Sequence, residues 1–221
     1  MTRSERAAIL LERLPKIYPT AHCELNFSSP LELLVATILS AQCTDVQVNK
    51  VTPALFVKFP NVAAYAAATQ DEMENQIRAI GLFRSKAKNI RAAARDIIEK
   101  HGGEVPRTLG ELVNLAGVGR KTANVVLGNA FGLDEGIVVD THVTRLSHRL
   151  KLTHKKDAKK IESDLVKLIP RSVWTVFSHW LIWHGRRRCT ARSPQCKLCE
   201  LADFCPSARS FLGNDLRPTC P

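Results

Sequence analysis

The chain has no apolar run near the ~20 residues that a membrane span requires. Its first residues, MTRSERAAILLERLPKIYP, lack the apolar core of a secretory signal. Charges recur there between Ile9, Leu10, Leu14 and Ile17, the pattern of an amphipathic helix that ends near Pro15–Pro19. Without anchor or signal, the expected place is the cytoplasm of a prokaryote, where the nucleoid is accessible. No segment sustains period-2 alternation, so a sheet is not expected and the chain reads as all-α. It also lacks long-period repeats, low-complexity tracts and any flexible linker between halves. Acidic residues are short, 21 against 32 Lys and Arg, giving a net charge of +11 and a pI near 9.6. Such an excess favours a polyanionic partner, nucleic acid first and an anionic membrane surface second. The 221 residues suffice for one domain or two small ones. Seven cysteines in a cytosolic chain argue for ligation of a metal or cofactor over disulfides.

Several helix starts can be read along the chain. Ser29, Pro30 and Glu32 look like N-cap, N1 and N3 of a helix to about Ala41. Thr44 with Gln47 and Thr69 with Glu72 read as capping boxes; the first helix runs toward Phe59, disturbed at Pro53, and the second stops at Gly81. Ser85 is the expected cap of the next, with Ala87, Ile90, Ala94, Ile97 and Ile98 as its apolar stripe and Gly102-Gly103 as its end. Ile137-Val138-Val139 is the one short apolar run that could be extended. Asp140 reads as the N-cap of a helix through Val143, Leu146 and Leu150. Residues 157–169 and 172–184 repeat the helical pattern. From Pro206 the tail, rich in Pro, Gly and Ser, is expected to be loosely ordered.

The stretch Thr108 to Phe131 organises the rest. Thr108 with Glu111 reads as a capping box for a helix from Leu109 through Ala116. Gly117-Val118-Gly119 is long enough only for a tight hairpin, and glycine supplies the positive φ and close approach such a turn needs. A second helix follows from Arg120, with Ala123, Val126, Leu127 and Ala130 on one side and Gly132 as its stop. Its N-terminus suits a phosphate. Arg120 and Lys121 stand in that first turn, where the dipole disfavours cations, so these two serve something other than helix stability.

Cys189, Cys196, Cys199 and Cys205 read C-x6-C-x2-C-x5-C. Four thiolates in so short a span can close around one metal or one cluster, and ligand type alone allows zinc.

With these motifs in hand, L-x-G-V-G-R-K-T-A resembles the helix-hairpin-helix of DNA glycosylases of the endonuclease III type. LSAQCTD (39–45), VDTHV (139–143) and the four-cysteine run (189–205) match the same family in order. The resemblance implies an all-α, two-domain helix-hairpin-helix glycosylase fold. Residues 22–132 would form a six-helix barrel domain; residues 1–21 and 133–221 would form a discontinuous iron–sulfur domain with the C-terminal tail. DNA and the active site would lie in the cleft between. It implies a [4Fe–4S] cluster on the four cysteines, read as structural: it would fix the loop that carries Lys197 and present it to DNA with Arg186, Arg187, Arg188 and Arg192. Cys23 and Cys43, outside the set, read as small buried hydrophobes; Cys220 also stands outside.

The resemblance further implies Lys121 and Asp140 as the catalytic pair. A neutral amine can attack the sugar C1′ of a damaged nucleotide, displace the base and leave a Schiff base open to β-elimination. An unperturbed lysine is neutral in about one copy in 2,500 at pH 7. The helix N-terminus and Arg120 push its pKa down, and burial would have to supply the rest. Asp140 could accept a proton and stabilise the cationic sugar; by chemistry alone it is equally a plain helix cap, and Lys121 a phosphate contact. Gln42 and Leu82 fall where the family fills the gap left by a flipped base; Gly117, Gly119, Arg120 and Lys197 would grip phosphate. Asp45 either lines the base pocket or serves as a first-turn helix residue. His142 is given no chemistry. An adenine-mismatch branch lacks a lysine at position 121 and carries an extra C-terminal domain, so Lys121 and the end at 221 point away from it. The expected activity is a bifunctional glycosylase and AP lyase acting, as a monomer, on duplex DNA with oxidised pyrimidines or abasic sites. A pyrimidine-dimer glycosylase of the same family, or a non-catalytic redox-sensing DNA-binding module, would carry the same motifs.

Overall fold

A computed structural model describes residues 1–212. Cys220 and the tail beyond 212 lie outside the described residues. Among the described residues there are twelve α-helices and no strand, and no helix is long and apolar enough to cross a membrane. The chain packs as two compact units: Cys23–Glu135, and Met1–His22 with the described residues from Gly136 on.

The Cys23–Glu135 unit holds α2 (Pro30–Ser40), α3 (Asp45–Lys58), α4 (Val62–Ala67), α5 (Gln70–Ile77), α6 (Phe83–His101), α7 (Leu109–Leu112) and α8 (Arg120–Phe131). Its centre is α2, in which every residue from Leu33 to Leu39 is buried. A helix apolar on all sides must be enclosed by others, and α3, α6 and α8 pack around it. Its one buried hydroxyl, on Thr37, donates back to Leu33 O (2.7 Å), so no polar atom there is left open. Ser29 caps this helix with Pro30 at its start, as its sequence suggests. Thr69 and Glu72 form a full capping box on α5, whereas Thr44 supplies only the first half of one on α3: the Gln47 amide turns away to Ala79 O. Pro53 lies inside an unbroken α3, and Pro15 inside the first helix, so neither breaks its element.

Two expectations change here. Helix α6 starts at Phe83, not after Ser85, and its N-cap is Leu82 in a left-handed conformation with no side-chain cap. Its buried stripe is Lys86, Ala87, Ile90, Ala93, Ala94 and Ile97; Ile98 is exposed. Helix α4, capped by Asn61, had no apolar periodicity long enough to announce it.

The other unit holds α1 (Arg3–Ile17), α9 (Thr141–Arg149), α10 (Ala158–Leu165), α11 (Trp174–Arg187) and α12 (Ala208–Leu212). Thr2 and Glu5 cap α1, whose Ala7, Leu10 and Leu14 are buried. They join a core with Val143 and Leu146 of α9 and Phe177 and Leu181 of α11. Ile137-Val138-Val139 is not a strand: it runs as irregular chain with Ile137 and Val138 buried, tied by the Val138 N–H to Ser178 Oγ (3.0 Å). Part of the segment expected to be loose, Ala208–Leu212, is helical.

Candidate nucleic-acid interface and cluster loop

In the hairpin, Thr108 caps α7, but that helix is regular for four residues only. Leu115 and Val118 are buried and anchor the turn. Gly117 has φ +77°, and a Cβ there would come 2.9 Å from Asn89 Cβ on α6. Both glycine properties are therefore needed at this residue: positive φ and no side chain. Gly119 is the N-cap of α8 and offers no side-chain cap. Arg120 and Lys121 follow, both exposed on the first turn. Lys121 is therefore open to solvent, its amine free to reach a strand laid against the hairpin.

Gln42 and Leu82, the two residues expected from the resemblance to fill the gap of a flipped base, share an unusual backbone. Both are left-handed, with φ 54° and 58°, and both are exposed. Non-glycine residues rarely adopt this region. Their loops adjoin, since a Cβ on Gly81 would lie 3.8 Å from Gln42 O.

In the other unit Asp140 is the N-cap of α9, its Oδ1 accepting from Val143 N (2.8 Å), and is half-buried. Asp45 begins α3. His142 Nδ1 lies 3.1 Å from Arg145 Nη2, and burial lowers its pKa. Gly185 of α11 lets that pair pack close: a Cβ there would meet His142 Nδ1 at 2.9 Å.

The four cysteines line one cavity that opens to solvent. Among the described residues no three metal-binding side chains converge on a point suited to a single ion. Four thiols on one wall can ligate either a single tetrahedral ion or a cluster. Burial pushes the Cys199 thiol up to about 11, and those of Cys196 and Cys205 up as well. Bound iron must therefore offset that burial to hold thiolates.

The surroundings are cationic. Arg149 donates to Cys189 Sγ (3.0 Å), Thr190 O (2.8 Å) and Ala191 O (2.8 Å). Arg145 donates to Cys189 O (3.0 Å). Arg188 is bound to Glu200 (2.9 Å) and Gln195 (3.0 Å) and so braces the loop. Arg187 lies over the Trp183 ring, 3.6 Å from its centre. Lys197 is exposed in the short 3-10 turn Cys196–Leu198. Sequence reasoning missed His184, whose Nε2 lies 3.5 Å from Cys199 Sγ and whose Nδ1 lies 3.0 Å from the Tyr18 hydroxyl. Burial lowers the His184 pKa to about 4 and pushes that of Tyr18 to about 12, so a neutral ring accepts from tyrosine and turns an N–H toward sulfur.

Comparison with known proteins decides what this arrangement is. Residues 35–171 match the HhH-GPD superfamily base excision DNA repair protein family, and residues 189–205 match the iron–sulfur binding domain of endonuclease III. Endonuclease III of Synechocystis sp. is 54% identical over 95% of this chain and 95% of its own length. The chain belongs to the endonuclease III family. The Escherichia coli K12 member is 44% identical over 93% of this chain and 96% of its own. Among solved structures, a trapped endonuclease III–DNA covalent intermediate aligns with TM-score 0.91 at 45% identity, covering 95% of this chain and 99% of that one. A thermostable thymine-DNA glycosylase aligns with TM-score 0.84 at 23% identity, a likeness of fold. The family's helix-hairpin-helix glycosylase fold is thus the fold of this chain, and its cofactor is the [4Fe–4S] cluster.

Proposed function

We propose that this protein is a bifunctional DNA glycosylase and AP lyase of base-excision repair that removes oxidised pyrimidines from duplex DNA. It acts as a monomer at the nucleoid. The observation that carries the reading is Lys121, exposed on the first turn of α8 behind the Gly-Val-Gly hairpin, in a chain so similar to an endonuclease III trapped covalently on DNA. Lys121 Nζ forms a bond to C1′ as the glycosidic bond breaks, and its electron pair leaves with the base, which takes a proton. The ring then opens to an imine. Loss of a C2′ proton expels the 3′ phosphate, and hydrolysis of the imine frees the lysine. Asp140 accepts the amine's proton and stabilises the cationic sugar.

Gly117, Gly119 and Arg120 hold phosphate with the amides of the hairpin and α8. Gln42 and Leu82 fill the gap left by the extruded nucleotide. Cys189, Cys196, Cys199 and Cys205 ligate the cluster, which when bound cross-links the loop bearing Lys197. Domain boundaries at 22–132, and at 1–21 joined with 133–221, follow the same reading. The test is incision of duplex DNA carrying thymine glycol, beside undamaged and pyrimidine-dimer duplexes. Incision of the thymine glycol strand alone is expected. Cleavage confined to the dimer moves the substrate class, and binding without cleavage removes the enzyme.

A further inference from the structure

Lys86 is a charged residue at a core position. It is 4% exposed and sits on the buried stripe of α6 with Ala87, Ile90 and Ile97. Burying an ammonium is costly unless it is fully hydrogen-bonded, and burial lowers its pKa here. Its partners are backbone carbonyls: Nζ donates to Leu39 O (2.8 Å) and Ala41 O (2.6 Å). These are the carbonyls at the end of α2, where the helix dipole is negative and carbonyls lack helical partners. The next residue is Gln42, held at φ 54°. On its backbone side, Lys86 N donates to Leu82 O (3.1 Å). One lysine therefore ties together the chain just before Gln42 and the carbonyl of Leu82, the two left-handed residues. Gln47 adds a weaker tie across the same gap, to Ala79 O at 3.4 Å.

We propose that Lys86 is a positioning residue for base extrusion: its ammonium, carried on the first turn of the helix that Leu82 caps, holds the end of α2 and so fixes the left-handed backbone of Gln42 beside Leu82. The proposal rests on the reading of those two residues as gap fillers. Left-handed leucine and glutamine are strained and persist only where the surroundings over-determine them. A leucine that is also 58% exposed violates two local preferences at once, which marks a functional site. Without the pin the end of α2 loses its cationic cap, Gln42 relaxes toward negative φ, and the pair no longer enters a duplex together.

Lys86→Met and Lys86→Gln separate this role from plain stability. Each is assayed on thymine glycol duplex and on a single strand bearing an abasic site, with rates scaled to the fraction of protein trapped by borohydride. A single strand has no partner base to displace, so extrusion is not needed there. Lys86→Met is expected to release base from the duplex about tenfold more slowly, or worse, while its scaled cleavage of the single strand stays at the parent level. Lys86→Gln, which retains a shorter donor, should show the same split in smaller degree; if Lys86→Met does not fold, Lys86→Gln decides. Equal losses on both substrates, or no loss on either, overturn the proposal. Gln42→Ala and Leu82→Ala run in parallel. If they lack the duplex-only loss, the gap-filling reading fails and this proposal with it; if they show it and the Lys86 variants do not, this proposal alone fails.

Discussion

Two regions bear function in this chain, and they are held by different forces. In Thr108–Phe131, Leu112, Leu115, Val118, Ala123, Val126 and Leu127 are buried, and two helices flank a glycine turn. In 189–205 only Leu201 is buried, and the regular structure is a single 3-10 turn. What shapes that loop from outside is four arginines: Arg145, Arg149 and Arg188, as above, and Arg13, which donates to Glu200 O (3.1 Å) and Asp203 (2.7 Å). From inside it is the cofactor. A [4Fe–4S]²⁺ centre with four thiolates carries two net negative charges, so the arginines around it are countercharges as well as braces. The comparison teaches that a +11 chain does not spend all its cations on DNA.

The sharpest way to break this contrast is to remove the cofactor. Purified protein is expected to be yellow-brown with stoichiometric iron and sulfide. Cys199→Ala should lose that iron and, in hydrogen exchange, nearly all protection across 189–205, while 108–131 keeps its own. Equal loss in both regions would mean that the hairpin also depends on the cluster, and a colourless active protein with one zinc would refute the cofactor.

The opposite perturbation targets the hairpin. Gly117→Ala forces a left-handed alanine and places its Cβ 2.9 Å from Asn89. A cost of about 2–4 kcal/mol is expected, read as a lower melting midpoint with normal iron content. An unchanged midpoint would show that α6 yields.

Acid should act on the cluster-bearing unit. Burial, with His22 and Arg186 adding to it against Asp140, lowers the His179 pKa to about 4. Its unfolded value is near 6.5, so between about pH 6.5 and 4 the unfolded chain binds a proton the folded one refuses. Stability is complete above that window and falls as pH drops through it, by about 3 kcal/mol for this one group. His179→Gln should flatten that part of the profile; an identical profile would remove His179 as the cause.

The smallest effect concerns the loop's exposed cation. Lys197→Ala should weaken damaged and undamaged duplex about equally and reduce the log–log salt slope by ~0.9. A loss confined to damaged DNA would mean Lys197 reads the lesion.

Legibility in the sequence followed the same division. The hairpin was readable because local rules act there: a threonine cap, apolar spacing, glycine where φ must be positive. The cysteine run was readable as a ligand set because four thiols in so short a span can close on one centre, but ligand type left zinc open and the family resemblance chose the cluster. The arginine braces were not, since Arg13 and Arg149 reach Asp203 and Thr190 through the fold. Leu82 as a left-handed N-cap was hidden because it defies capping preference, which favours Ser85 in reading and places the helix start three residues late. Lys86 left a trace that went unread: a lysine four residues before Ile90, on the stripe itself.

The central claim is that Lys121 forms a covalent bond with DNA, and borohydride trapping tests it most directly. The protein is reduced during turnover on thymine glycol duplex, digested, and the DNA-bearing peptide is identified by mass. The adduct is predicted on Lys121, and Lys121→Gln, which keeps much of the reach but has no amine, should bind the lesion without cross-linking or cleaving it. An adduct on another amine such as the N-terminus, or abundant cross-linking in Lys121→Gln, would contradict the account.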